Sequence, residues 1–440
     1  MDIRFWGTRG SLAKPGPSTL RYGGNTSCVE VRSADGTLIV LDCGTGAHGL
    51  GVALMASGAR CDGHLLITHT HWDHIQGFPF FAPLFTSGNA WDIYAPGGLG
   101  QQLERTLAGQ MEYTYFPVTL GQLGATIRYH DLAEGAFAIG DVRVVAQYLN
   151  HPALALGYRL EAGGTVVVYA ADHEPHAPNP AARGDAGPAM HGEDQRHVEF
   201  LAGADLVVHD AQYTVDEYPE KTGWGHTPAE WAVDYAIAAG ARRLALYHHD
   251  PLRDDGAVDR LVDNCRRRVD SAGSSLDVFA AAEGLELRLH RRDARSPAAA
   301  SPPRPALPTG SHTILVADDD PTIVRLLTLT LEQDGFRVIT ASDGKRALDV
   351  ARREHPALIL LDWQMPGADG IEVTRTLRRE SDPALRDVPL VLITAQSGPE
   401  NTAAGFAAGV TDYLTKPFRP AHVRARVHAW LLRRRSEGQA

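Results

Sequence analysis

Along the first 290 residues, short apolar runs alternate with polar positions at the two-residue period of half-buried strands. DIRFW, CVEVR, LIVLD, HLLITH, RVVAQYL, LGYRLE, TVVVYAAD, LVVHDA, RLALYHH and LELRLH are runs of this kind. LIVLD and TVVVYA are almost wholly apolar, which predicts strands covered on both faces. Helical patterns interleave with them. The clearest is predicted from Thr227, where Thr227 caps, Pro228 takes the first helical position and Glu230 closes a capping box. Many strands with few helices predict layered sheets covered by helices.

The periodicity stops between Arg291 and His312. RRDARSPAAASPPRPALPTGSH is rich in Pro, Ala and Ser and reads as an extended, semi-rigid linker. The expected organisation is therefore a domain over 1–292, a linker over 293–312 and a second domain over 313–440. In the second, strands TILVA, RVITA, ALILL, PLVLIT and DYLT alternate with helices beginning near Pro321, Asp343, Gly370, Pro399 and Pro420. Gly335 and Gly409 stand where helix-ending glycines belong. Five such units predict a doubly wound parallel sheet. No internal repeat is visible.

Composition sharpens the division. The 440 residues allow two or three domains. Sixteen of the 20 histidines precede residue 291, which suggests metal or acid–base chemistry confined to the front. Residues 1–292 hold 23 Lys+Arg against 35 Asp+Glu, whereas residues 313–440 hold 17 of each. An acidic front repels a polyanion, which argues against a nucleic-acid backbone as its partner. Four cysteines (Cys28, Cys43, Cys61, Cys265) without CxxC spacing are no disulfide framework. No apolar run approaches the ~20 residues of a membrane span, and MDIRFWGTRG lacks the apolar region of a signal peptide. A cytoplasmic protein without a membrane partner is expected.

The strongest chemical signal is His69-Thr70-His71-Trp72-Asp73-His74, directly after the strand HLLIT. Three imidazoles and a carboxylate at this spacing cannot all reach one ion from a strand end, but they can serve two ions a few ångströms apart. Imidazole nitrogen with carboxylate oxygen suits zinc, and also manganese or iron. Gly44-Thr45-Gly46-Ala47-His48-Gly49 is a literal GxGxxG after a strand. We expect no dinucleotide site there, because no βαβ continuation is read after it and the next strand delivers metal-type residues instead of a ribose-binding acid. Its glycines are expected to permit a tight turn beneath the metals.

HTHWDH matches the HxHxDH signature of metallo-β-lactamase-fold hydrolases, and the first domain resembles their tRNase Z-like and phosphodiesterase branch. The resemblance implies an αββα sandwich and two ions, zinc first, with manganese or iron as alternatives. It implies that His69, His71 and His151 hold one ion, that Asp73, His74 and His248 hold the other, and that Asp172 bridges both. His249 competes with His248 for the last position; His248 lies closer to the strand. His173 should turn away from Asp172 by strand alternation. Asp42, at the end of LIVLD, is expected to support the ligand imidazoles through hydrogen bonds.

His226, in GWGHTP, falls where that branch has a Gly-His-Ser/Thr segment, which implies a phosphate binder or proton donor. His209-Asp210 stands where the branch has His-Glu, so a shorter carboxylate puts the role of Asp210 in question. The implied catalytic set is Asp73 and Asp172, which orient the nucleophile, and His226, which assists the leaving group. The expected substrate is a phosphodiester, most simply a small or cyclic nucleotide. Ester, thioester and lactone hydrolysis on the same site, and a metal-bearing sensor or scaffold without turnover, remain open. A tRNA substrate fits poorly with the acidic front. The irregular stretch from Glu174 to Arg196 reads as a lid over a small substrate or as a surface loop.

In the second domain, Asp318, Asp319 and Asp320 follow the first strand, Asp362 ends the third, Thr394 ends the fourth, and Lys416 and Pro417 follow the fifth. Strand ends of a doubly wound sheet converge on one crevice, and clustered carboxylates there call for a cation such as Mg2+. This set resembles CheY-like response-regulator receiver domains. The resemblance implies phosphorylation of Asp362 by a histidine kinase or phosphotransfer protein, and Mg2+ on Asp318, Asp319, Asp362 and the Gln364 backbone carbonyl. It further implies a switch made of Thr394, Tyr413 and Lys416, with Asp320 facing out. One helix follows Lys416 and no helix-turn-helix, so no DNA binding is expected; Arg433-Arg434-Arg435 reads as favourable charge at a helix C-terminus. The output is then the front domain or a partner protein, with a homodimer one assembly left open.

Overall fold

A computed structural model describes residues 1–56, 58–96, 100–176, 192–290, 312–333, 335–394 and 408–416, with Gly405, Val423, Val427, Trp430 and Leu431. The chain divides into two compact units, 1–299 and 300–440. That division falls inside the segment expected as a linker, which apart from His312 lies outside the described residues.

In the first unit, β1 (Asp2–Gly7), β2 (Cys28–Arg32), β3 (Leu38–Leu41), β4 (Gly63–Leu66), β5 (Ala90–Pro96) and β6 (Thr126–Leu132) lie in one sheet. A second sheet holds β7 (Gly135–Ile139), β8 (Val142–Leu149), β9 (Ala155–Ala162), β10 (Thr165–Ala170), β11 (Leu206–Asp210), β12 (Arg243–Tyr247) and β13 (Asp277–Ala280). The late strand β14 (Glu286–Arg288) returns to the first sheet beside β1. The sheet orders are β14-β1-β2-β3-β4-β5-β6 and β13-β12-β11-β10-β9-β8-β7.

Alternation along the strands builds the core between the sheets. Ile3, Phe5, Val29, Val31 and Leu41 of one sheet meet Val144, Leu156, Tyr158, Val167 and Tyr169 of the other. The outer faces are covered by helices. α1 (Gly46–Met55), α2 (Trp72–Ile75) and α3 (Gly100–Gln110) belong to the first sheet, where Leu50, Leu103 and Leu107 pack on Val40, Leu65 and Ile93. α4 (Gly192–Leu201), α5 (Ala229–Ala238) and α6 (Asp255–Ser271) belong to the second, where Leu201, Val233 and Val262 pack on Val168, Val207 and Leu244. The fold is the αββα sandwich expected.

Three details differ from the sequence expectations. β3, α1 and β4 do form a parallel βαβ unit, since Ile39, Val40 and Leu41 pair in parallel with His64, Leu65 and Leu66. What removes room for a pyrophosphate is packing: a Cβ on Gly44 would overlap the Asp73 carbonyl, and one on Gly46 would press against Trp6 backbone atoms. Second, α5 starts at Ala229 with Pro228 just outside it, and no capping box forms. The Thr227 hydroxyl instead donates to the His173 carbonyl, and Glu230 accepts from the Val215 N–H. Third, Gly192–Arg196, expected as irregular, begin α4; residues 177–191 lie outside the described set.

The second unit is a five-stranded parallel sheet of β15 (Thr313–Ala317), β16 (Arg337–Ala341), β17 (Leu358–Asp362), β18 (Leu390–Thr394) and β19 (Asp412–Thr415). Its order, β16-β15-β17-β18-β19, reverses direction beside β15, as in doubly wound folds. α7 (Pro321–Glu332), α8 (Gly344–Glu354) and α9 (Gly370–Leu377) are capped by Asp320, Asp343 and Asp369, whose carboxylates accept N–H bonds from the first turn. A short α10 (Pro383–Arg386) was not anticipated. The helix starts expected near Pro399 and Pro420, Pro417 itself and Arg433–Arg435 lie outside the described residues. All four cysteines are free and buried, and among the described residues no helix is long and apolar enough to cross a membrane.

Candidate metal centre and phosphoacceptor site

The parallel strands β3, β4, β10, β11 and β12 end at one edge of the sandwich, and that edge gathers the candidate residues. Asp42 follows β3; His69, His71 and the α2 residues Asp73 and His74 follow β4. Asp172 follows β10, Asp210 ends β11, and His248 follows β12; His151 lies in the turn after β8. Five non-glycine residues in the described set have positive φ, and four of them are here: Ser11, Asp42, Asp172 and His248, all near +60°. Backbone strain of this kind persists only where surrounding structure holds it, and it concentrates at functional sites.

Asp172 organises the centre. Its Oδ2 lies 3.5 Å from His69 Nε2 and 3.8 Å from His151 Nε2, and His151 Nε2 is 3.2 Å from His71 Nδ1. Its Oδ1 lies 3.2 Å from His74 Nε2 and 3.1 Å from His248 Nε2, while Asp73 Oδ2 is 3.3 and 3.1 Å from the same two nitrogens. Two donor sets thus share one carboxylate. His69 Nε2, His74 Nε2 and Asp172 Oδ1 are buried without a hydrogen-bond partner. Orphaned imidazole nitrogens converging on a carboxylate are costly without a cation and satisfied by one, so the residues fit a metal pair.

Protonation agrees with that fit. Burial holds His69 well below the usual histidine range and brings His151 down to about 4, leaving both neutral. Burial opposes ionisation of Asp172 and Asp73, but the adjacent histidines hold both well below the carboxylate range. His74 is the exception: against the effect of burial, Asp172, Asp73 and Asp42 raise it, so it would release a proton as a cation binds.

Supporting contacts fix the rings. Asp42, fully buried, accepts from the Thr68 N–H (2.7 Å), the Thr68 hydroxyl (3.0 Å), His74 Nδ1 (2.8 Å) and the Tyr169 hydroxyl (2.8 Å). Its change to alanine should cost about 3–5 kcal/mol, because several buried donors lose their acceptor at once. Metal affinity should fall about 10–100-fold as His74 loosens. Denaturant unfolding and competitive metal titration measure the two effects; unchanged values for both would contradict this role.

His248 lies in the cluster, its Nδ1 3.2 Å from Gln212 Oε1, whereas His249 gives Nε2 to the Ala281 carbonyl at 2.9 Å. Burial lowers the His249 pKa to about 3, and its backbone brackets the Thr8–Gly10 segment, whose Gly10 packs on the His248 ring. His173 is turned away and stacks on His197 at 3.8 Å. Asp210, despite its shorter side chain, reaches His226 Nδ1 at 2.8 Å. Burial works against the His226 charge, yet Asp210, with Asp172 and Asp73 beyond, pushes its pKa to about 9. The His226 ring lies 5.0 Å from that of His248 and 5.6 Å from that of His151.

Several supports had no motif to betray them. The Ser11 N–H donates to Asp73 Oδ2 at 2.7 Å. Glu174 accepts from the Tyr218 hydroxyl and from the N–H groups of Gly223 and Gly225 at 2.7–2.8 Å. The Gly225 carbonyl in turn meets His151 Nδ1 at 3.0 Å, and only glycine fits there, since a Cβ would overlap that ring.

In the second unit, Asp318, Asp319 and Asp362 offer oxygens close enough together to share a cation. Lys416 Nζ lies 2.8 Å from Asp318 Oδ2 and 2.6 Å from Asp362 Oδ1. The Gln364 N–H donates to Asp362 Oδ2 at 2.8 Å, and burial raises the Asp318 pKa. Asp320 is exposed and caps α7, Thr394 is buried at the end of β18, and Tyr413 stacks near Trp363 at 6.3 Å.

Comparison with known proteins gives two family matches. Residues 37–249 match the beta-lactamase superfamily domain, and residues 314–428 match the response regulator receiver domain. The alkaline phosphatase synthesis transcriptional regulatory protein PhoP of Bacillus subtilis is 47% identical over 124 residues, 28% of this chain and 49% of that protein. The chain spans about half the length of the curated relatives it matches. Chemotaxis protein CheY4 of Vibrio cholerae is 30% identical, with 28% of this chain and 99% of that one aligned at a TM-score of 0.27. The metallo-beta-lactamase fold protein YhfI of Bacillus subtilis is 18% identical, with 65% and 98% aligned at a TM-score of 0.46.

Proposed function

We propose that this chain, a beta-lactamase superfamily domain joined to a response regulator receiver domain, is a response regulator with an enzymatic output. The output is a dinuclear metal-dependent hydrolase acting on a phosphodiester of small- or cyclic-nucleotide size, controlled by phosphorylation of Asp362. The observation that carries this reading is Asp172, which turns one oxygen to His69 and His151 and the other to His74 and His248.

His69, His71, His151 and Asp172 would hold one ion, and Asp73, His74, His248 and Asp172 the other, with zinc favoured by the imidazole-rich set and manganese or iron compatible. Bound there, two divalent ions supply a nucleophile at neutral pH and offset charge on the phosphoryl oxygens. The protein supplies the rest. Asp42 and Gln212 keep His74 and His248 oriented, the Gly225 carbonyl fixes His151, and the Ser11 N–H holds Asp73. His226, kept protonated near neutral pH by Asp210, donates its proton to the leaving alkoxide.

His226→Ala should lower kcat about 10²–10⁴-fold on a diester with an alkoxide leaving group. A nitrophenyl leaving group needs no proton and should lose far less. Parallel kinetics on the two substrates check this, with metal content measured alongside; equal losses would exclude His226 as the acid. In the receiver, Asp362 is the phosphoacceptor for a histidine kinase or phosphotransfer protein, with Mg2+ on Asp318, Asp319 and Asp362 and the Gln364 carbonyl, and Thr394, Tyr413 and Lys416 as the switch.

A further inference from the structure

We propose that Trp72 and Trp224 form a stacking subsite for a planar aromatic ring on the substrate, a nucleobase in a nucleotide diester. The proposal deepens the phosphodiesterase reading and rests on it for the identity of the ring. The chain has seven tryptophans, and among the described residues only two are exposed, Trp72 at 76% and Trp224 at 57%. Tryptophan is highly buried on average, and none of the other five is exposed. Each is one residue from a group that belongs to or touches the metal cluster, His71 for Trp72 and Gly225 for Trp224. The cluster's ligand-type side chains are buried except for His71, so the cluster opens to solvent at His71, and Trp72 is the next residue.

Trp224 belongs to a second chain segment that reaches the cluster through its neighbour Gly225. It precedes Gly225, whose carbonyl meets His151 Nδ1 at 3.0 Å, and His151 Nε2 is 3.2 Å from His71 Nδ1. The loop bearing Trp224 is fastened on both sides, because Glu174 accepts from the N–H groups of Gly223 and Gly225. The Trp224 N–H closes a turn onto the Lys221 carbonyl at 3.1 Å. A backbone held this way presents the ring without first having to order the loop, which favours stacking. Lys221 Nζ sits 4.4 Å from the Trp224 ring centroid, and it is one of only two lysines in residues 1–292. A cation thus stands beside an exposed ring in a domain of net negative charge, a pairing suited to an anionic aromatic ligand.

The test is calorimetric titration of the metal-loaded full chain with adenosine 5′-monophosphate and with ribose 5-phosphate, which lacks only the base. Wild type should bind the nucleotide about tenfold to a hundredfold more tightly, the range expected for one stacked base. Trp72→Leu/Trp224→Leu should erase that difference, and Trp72→Phe/Trp224→Phe should restore most of it. Equal affinity for the two ligands in wild type, or a preference that survives in the leucine pair, would overturn the subsite. Cyclic-nucleotide hydrolysis measured on the same preparations tells the two claims apart. Base-dependent binding without turnover refutes the phosphodiesterase reading alone, and turnover without base-dependent binding refutes the subsite alone.

Discussion

Asp172→Ala should lower phosphodiester hydrolysis by at least about a thousandfold and leave fewer than two ions bound per chain. The reason is geometric. Among the described residues no other carboxylate touches both donor sets: Asp172 Oδ2 faces His69 and His151, and Oδ1 faces His74 and His248. Alanine leaves the five candidate imidazoles with Asp73 as the one remaining candidate carboxylate ligand, and Asp73 meets only His74 and His248. Two like-charged ions cannot stay close without a bridging anion, so at least one is expected to leave. Elemental analysis of dialysed protein and initial rates on a phosphodiester chromogen measure the two effects. A variant with full metal content and full activity would remove Asp172 from the centre.

The second large effect lies in the other domain. Asp362→Asn should abolish phosphoryl incorporation from acetyl phosphate, measured as acid-stable, base-labile phosphate on the chain. In the proposed reaction a carboxylate oxygen of Asp362 bonds to phosphorus as acetate leaves. Asparagine keeps the shape but offers no anionic oxygen for that bond. Asp362 stands at the end of β17, with one oxygen on Lys416 Nζ at 2.6 Å and the other on the Gln364 N–H at 2.8 Å. Neighbouring Asp318 and Asp319 supply the further oxygens that a Mg2+ ion prefers. Unchanged phosphate in the variant would place the acceptor elsewhere.

Much of both sites is legible in the sequence because their residues sit at the ends of strands that are themselves strongly apolar. HLLITHTHWDH and ALILLD each print a buried strand and its functional residues as one run. The supports are not legible, because they are made by folding across long separations. Tyr169 reaches Asp42 over 127 positions, and Asp73 accepts from Ser11 over 62. Nothing local marks Glu174 as the anchor of the Gly223–Gly225 turn. The expected capping box at Thr227 fails for the same reason: its two side chains are taken by His173 and Val215, tertiary partners that outcompete the local motif.

The βαβ unit formed by β3, α1 and β4 is not legible in the sequence, because a run as short as HLLIT does not specify which strand it pairs with. β5, β6, β7 and β13 were also unforeseen. β6 (TIRYHDL) carries polar side chains on an exposed edge, where Arg128 and His130 pair with Asp92 of β5. Its residues 126–130 nevertheless alternate polar and apolar, so this strand does carry the period-2 signal.

The most direct measurement is the initial rate of cyclic-nucleotide hydrolysis by the metal-loaded full chain, before and after acetyl phosphate, beside Asp362→Asn. The account predicts turnover that exceeds that of thioesters and lactones, a rate that changes on phosphorylation of the wild type, and no change in the variant. A fully metal-loaded chain that leaves phosphodiesters intact, or one whose rate is the same with and without phosphate on Asp362, would contradict it.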